Sequence, residues 1–150
     1  MRVEKDYEDL LGFLNKNRVR YCIIGAFAFG FHARPRYTKD IDILVEPTVL
    51  NARRILKALV DFGFGSLRLS ESDFANEGNI IQLGVEPVRI DLLTSLAGLP
   101  FKQIWKNKSR GRYGKHEVHF LGREDLIQSK RIADRPKDRV DIDVLRRQGR

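Results

Sequence analysis

A single α/β or α+β domain, with a mixed sheet flanked by helices, follows from three features of this sequence. Short β-prone runs alternate with apolar runs at helical spacing through the first half. Two β-prone runs then flank a Pro-containing turn, which adds an antiparallel hairpin. Two helical segments close the chain. A length of 150 residues suits one domain with a self-sufficient core, and no repeat, low-complexity tract or linker divides it.

Each element has its own local reason. Tyr7, Leu10, Leu11 and Leu14 recur at helical spacing between Glu4 and Arg18. Arg20 to Ile24 is β-prone and stops at Gly25, and Ala26 to His32 reads as a short buried helix. Ala33 to Lys39, with Pro35, is a loop. Asp40 to Val45 alternates polar and apolar before turning apolar, which predicts a strand. Pro47 stops it, Thr48 suits an N-cap, and Val49 to Phe62 is a helix closed by Gly63 and Gly65. Residues 66–78 are polar and carry no clear pattern. Asn79 to Gly84 and Val88 to Leu93 form the hairpin around Val85-Glu86-Pro87. Phe101 to Lys106 reads as a short helix and Glu117 to Leu121 as an edge strand. Glu124 to Ala133 and Lys137 to Arg147 are helices separated by Pro136.

The composition narrows the class. One cysteine, Cys22, excludes an internal disulfide and fits a reducing compartment. No apolar run is long enough to cross a bilayer, and the charged opening Met1-Arg2-Val3-Glu4-Lys5-Asp6 lacks a secretory apolar stretch. A cytoplasmic protein without a membrane partner is expected. Lys and Arg number 28 against 20 Asp and Glu, a net charge of +8 that favours polyanionic ligands. The stretch from Lys106 to Lys115 holds five basic residues and no acid, with Trp105 and Tyr113 beside or within it. It reads as a mobile basic loop able to meet phosphates and stack a base.

The chemistry concentrates between Gly25 and Asp42. Asp40 and Asp42 fall on one face of their strand, with Cα atoms roughly 6.6–6.8 Å apart. Two such close carboxylates repel unless a cation stands between them, and Mg²⁺ takes oxygen ligands. Asp91 is a third acid, in Val88-Arg89-Ile90-Asp91-Leu92-Leu93, where burial demands a partner: a metal or a salt bridge to Arg89. Gly25, between strand and helix, leaves backbone N–H groups for a phosphate. No P-loop signature is present. Asp138 and Asp141 share a helix face, suited either to orient Lys130 or Arg135 or to a helix N-terminus. His116 and His119 fall on opposite strand faces, and Cys22 suits packing.

Gly25-Ala26, Arg36, Thr38 and Asp40-Ile41-Asp42-Ile43 resemble the core motif of the polymerase β-like nucleotidyltransferase superfamily. In that motif Gly-Gly or Gly-Ser ends the first strand, an Asp-hydrophobic-Asp pair follows, and a third acid lies on a later strand. The C-terminal stretch with Lys130, Arg135, Lys137, Asp138 and Asp141 is similar to small bacterial single-domain proteins of the abortive-infection (AbiEii-like) toxin type. The resemblance spans nearly the whole chain. It departs at Ala26, where Gly or Ser is usual and Ser would add a hydroxyl contact to the triphosphate.

The resemblance implies a nucleotidyltransferase-like fold over residues 1–150 and transfer of an NMP from an NTP (EC 2.7.7-type chemistry). Asp40, Asp42 and Asp91 would be catalytic and hold Mg²⁺ or Mn²⁺. Gly25, Ala26, Arg36, Thr38 and Lys130 would bind the nucleotide, such as ATP. The acceptor stays open among RNA (including tRNA), a protein and a small molecule, as do an antitoxin-type partner and a homodimer. A fold that keeps nucleotide or nucleic-acid binding without turnover is the alternative.

Overall fold

In the computed structural model, which describes residues 3–148, six strands form one mixed sheet in the order β3-β4-β2-β1-β6-β5. The elements run α1 (Lys5–Lys16), β1 (Tyr21–Ile24), α2 (Gly25–His32), β2 (Asp40–Val45), α3 (Val49–Phe62), α4 (Glu71–Ala75), β3 (Ile80–Leu83), β4 (Arg89–Leu93), α5 (Phe101–Asn107), β5 (Ser109–Tyr113), β6 (His116–Phe120), α6 (Arg123–Ala133) and α7 (Pro136–Gln148). β1 pairs antiparallel with β2 and parallel with β6, and β4 runs parallel to β2 and antiparallel to β3. This is the α+β architecture with a mixed sheet that the element order predicted. Among the described residues, no helix is long and apolar enough to cross a membrane.

The helices form two groups. α1 packs on α3 and presents Tyr7, Leu10, Leu11 and Leu14 to the core, as their spacing requires. α2, α6 and α7 pack on one another, and α2 rests on β1 and β2. Thr48 caps α3 by accepting from the Asn51 backbone N–H at 3.2 Å. The unpatterned stretch holds α4, whose Asp73 carboxylate accepts from the Ser70 backbone N–H at 2.8 Å. The Tyr7 hydroxyl donates to the Arg89 carbonyl at 3.1 Å and so ties α1 to the start of β4.

Two expectations need correction. Residues 106–115 are no loop: Lys106 lies in α5, and Ser109–Tyr113 is β5, the true edge strand. β6 is interior, between β1 and β5. Arg110 and Arg112 mimic a loop in sequence, yet charge on an edge strand deters further pairing. Gly111 fits because a β-carbon there would lie 2.6 Å from the Phe31 ring and 2.8 Å from Phe120. Nor are the aromatic rings free for a base. Tyr113 is 2% exposed, and its hydroxyl accepts from the Glu4 backbone N–H. Trp105 lies against Phe101 and His119, with the Lys108 ammonium 3.9 Å from its ring centre.

Candidate active site

The parallel pairing of β2 with β4 builds the site. Its register sets Asp42 opposite Asp91 and Asp40 opposite Arg89. Residues opposite one another share a sheet face, as do residues two apart on one strand. The result is a four-cornered patch on one face, with three acids and one arginine. One ligand oxygen from each of Asp40, Asp42 and Asp91 lies within 4.8 Å of the others, the one such cluster among the described residues.

Partners differ at each corner. The Arg89 guanidinium donates to Asp40 Oδ2 at 2.7 Å and to both Asp91 oxygens at 3.1 Å. Thr38 Oγ1 donates to Asp40 Oδ1 at 3.1 Å. Asp42 sits diagonally from Arg89. Burial, then the charges of Asp40 and Asp91, push its carboxyl up to about 6, with Arg89 pulling weakly the other way. Asp91 is thus both things the sequence allowed, a salt-bridge partner of Arg89 and a member of the carboxylate cluster.

Gly25 closes the patch. β1 pairs Ile24 with Asp42, so the turn into α2 rises beside that carboxylate. Gly25 has φ +65°, and a β-carbon there would stand 2.5 Å from Asp42 Oδ2. Both the dihedral and the close approach demand glycine. Ala26 follows in the first turn of α2 and lines a cavity of about 440 Å³ with Glu4, Tyr7, Phe27, Pro35, Arg36, Tyr37, Thr38 and Pro87.

The C-terminal elements hold an ion network whose acids, Asp138 and Asp141, are buried. Asp141 accepts from Arg36 Nη2 at 2.8 Å, Arg36 Nη1 at 3.1 Å and Lys130 Nζ at 2.9 Å. Arg135 binds Asp138 through its side chain and its backbone N–H. Lys130 is also 3.8 Å from Asp138. Burial raises the Asp141 pKa, but hydrogen bonds from Arg36 and Lys130 outweigh it, and the net direction is down. The hydrogen bond from Arg135 likewise holds Asp138 low. Arg36 also lies over the Phe29 ring, 3.8 Å from its centre. Lys130 is therefore an enclosed ammonium, its side chain 13% exposed, rather than a helix-surface lysine. Both readings of Asp138 and Asp141 hold together, since Asp138 stands in the first turn of α7 and both acids orient basic side chains.

The cavity's aromatic wall of Tyr7, Phe27 and Tyr37 was missed in sequence. Phe27 directly after Ala26 was its one visible sign. Burial pushes the Cys22 thiol up to about 12, in keeping with packing. The His119 ring is held below its usual pKa by burial first and then by Lys108 and Arg110.

The donor set fits a hard divalent cation, with three carboxylates, no soft ligand, and an Asp42 made more basic by burial and then by the charges of its two neighbours. No family model matches the chain, and no curated protein matches it in sequence. Among solved structures, the chain is similar to the lincosamide antibiotic adenylyltransferase LnuA in its lincomycin-bound form. The TM-score is 0.60 at 16% identity, covering 97% of this chain and 98% of that one. The two share a nucleotidyltransferase-like fold from end to end.

Proposed function

We propose that this protein transfers a nucleoside monophosphate from an NTP to an acceptor hydroxyl, with Asp40, Asp42 and Asp91 holding Mg²⁺ or Mn²⁺. The observation that supports this best is the ring of three carboxylates set beside the Gly25 turn. Bound metal would supply Lewis-acid stabilisation to the attacking and leaving oxygens of an in-line displacement. Asp91 would accept the proton of the acceptor hydroxyl. Backbone N–H groups at Gly25 and Ala26 would take phosphate oxygens at the start of α2. Thr38 would keep Asp40 aimed, through the hydrogen bond to its Oδ1. Arg36 would present positive charge at the cavity wall, and Lys130, behind it, would hold the Asp141 that fixes Arg36.

The acceptor we favour is a small molecule. The neighbouring structure is an adenylyltransferase with an antibiotic bound. The 440 Å³ cavity beside Ala26 and Thr38, walled by three aromatic rings and two prolines, is of a size for one small ligand moiety. RNA or protein acceptors, and the partner protein suggested by the abortive-infection resemblance, remain as competing outcomes.

The test is label transfer from α-phosphorus-labelled NTPs, one at a time, with Mg²⁺ or Mn²⁺. Lincosamides and other hydroxylated small molecules, total RNA and protein serve as acceptors, with Asp42→Ala as control. Label on a small molecule that vanishes in the variant is expected. Label on RNA or protein alone would overturn the acceptor assignment. No label, from protein that still binds NTP, would replace transfer by binding.

A further inference from the structure

Arg89 donates to two of the three carboxylates that a cation of the triad would use. Its Nη2 lies 2.7 Å from Asp40 Oδ2 and 3.1 Å from Asp91 Oδ2, between two of the three carboxylates that would be metal ligands. Its Nε holds the other Asp91 oxygen at 3.1 Å, so both oxygens of Asp91 are engaged. A dication placed among these oxygens would meet a guanidinium in direct contact with two of its ligands, and like charges that close repel. The arginine is held but not sealed in: its side chain is 27% exposed. A third carboxylate also lies within reach, since Arg89 Nη1 is 3.9 Å from Glu86 Oε1 in the turn before β4, and Glu86 is half exposed.

We propose that Arg89 is the resident cation of the triad in the metal-free protein, and that it withdraws to Glu86 when metal is loaded. This rests on the reading of Asp40, Asp42 and Asp91 as metal ligands. The arginine keeps Asp40 and Asp91 compatible with the fold while the site waits, and it sets a threshold concentration for metal. Asp40 and Asp91 exchange one cation for another, while Asp42, out of the arginine's reach, gains its first strong partner.

The decisive measurement is Mn²⁺ affinity by calorimetry or electron spin resonance, without nucleotide, for wild type, Arg89→Gln and Lys39→Ala. Lys39 is the control, because it removes one positive charge from the same neighbourhood, where it pairs with Glu86 at 3.8 Å. Arg89→Gln is expected to bind Mn²⁺ about ten-fold more tightly, and Lys39→Ala, which removes a charge but also frees Glu86 to receive Arg89, to tighten binding distinctly less. A damaged site would bind metal less well, so tightening is the signature of a competitor removed. Unchanged or weaker binding in Arg89→Gln would overturn the proposal and make Arg89 a fixed support of Asp91. Equal tightening in Lys39→Ala would overturn it too, by reducing the effect to long-range charge. If neither wild type nor Arg89→Gln binds Mn²⁺, the metal-ligand reading itself fails. Should Arg89→Gln not fold, the guanidinium nitrogen signals of ¹⁵N-arginine-labelled wild type decide. They should show Arg89 immobilised without metal and released on adding Mg²⁺; no change on saturation would overturn the proposal.

Discussion

Asp42→Asn should make the metal-free protein more stable at neutral pH, an unusual outcome for a change at a candidate catalytic residue. The Asp42 carboxyl is raised from 3.8 to about 6, by burial first and then by the charges of Asp40 and Asp91. A carboxyl raised in this way adds stability below its ordinary pKa and loses it as pH rises through about 6. At neutral pH the ionised group therefore works against the fold. The gap from 3.8 to about 6 corresponds to about 3 kcal/mol without screening. Asp42 is only partly buried, and water reduces this to about 1–2 kcal/mol. Asn is isosteric with the protonated acid and keeps a donor toward Asp91. Thermal unfolding in chelator at about pH 7.5 should show the variant melting about 3–6 °C higher. The difference should shrink as pH falls from about 6 to 3.8 and vanish only below 3.8, where the carboxyl is protonated in the unfolded chain as well. Saturating Mg²⁺ should reverse the order, since the intact triad gains ligand stabilisation that the variant loses. An Asn variant less stable than wild type in chelator at about pH 7.5 would refute the reasoning, because it would mean that ionised Asp42 is already well compensated.

Further predictions follow from other corners of the site. Gly25→Ala combines a left-handed backbone with a β-carbon 2.5 Å from Asp42 Oδ2, and should lose about 1–2 kcal/mol by urea denaturation together with NTP affinity. Asp141→Asn removes the negative charge shared by Arg36 and Lys130 and leaves the enclosed ammonium only Asp138, 3.8 Å away, and should lower stability by about 2–3 kcal/mol in the same assay. Ala26→Ser adds a hydroxyl beside the proposed phosphate site and should tighten NTP binding by several-fold, about 0.5–1.5 kcal/mol, in a calorimetric titration.

The carboxylate patch was readable because a strand has period two. Asp40 and Asp42 had to share a face, and an acid at position 91 among Ile90, Leu92 and Leu93 had to have a partner. What local pattern does not contain is register: only the pairing of β2 with β4 says that Asp91 stands opposite Asp42. The ion network shows only in part, for a related reason. Asp138 and Asp141 share a helix face in any reading, but only the packing of α7 on α2 brings Asp141 into reach of Arg36, which lies over Phe29. β5 misleads in the other direction. Its arginines and glycine read as a loop because hydropathy reports exposure, and an edge strand is as exposed as a loop.

Register also explains why Arg89 belongs with the triad. Setting Asp91 opposite Asp42 leaves no choice for the residue two positions earlier, which must stand opposite Asp40 on the same face. A chain that brings its third acid into the cluster along this strand therefore brings whatever side chain occupies position 89. A neutral residue there would leave three carboxylates with only solvent and Thr38 among them, and Asp40 and Asp91 would face the repulsion that now falls on Asp42. An arginine satisfies those two and leaves the third corner basic. The asymmetry gives the patch its chemistry, with two acids held ready by a displaceable cation and a third that gains most when a stronger cation arrives.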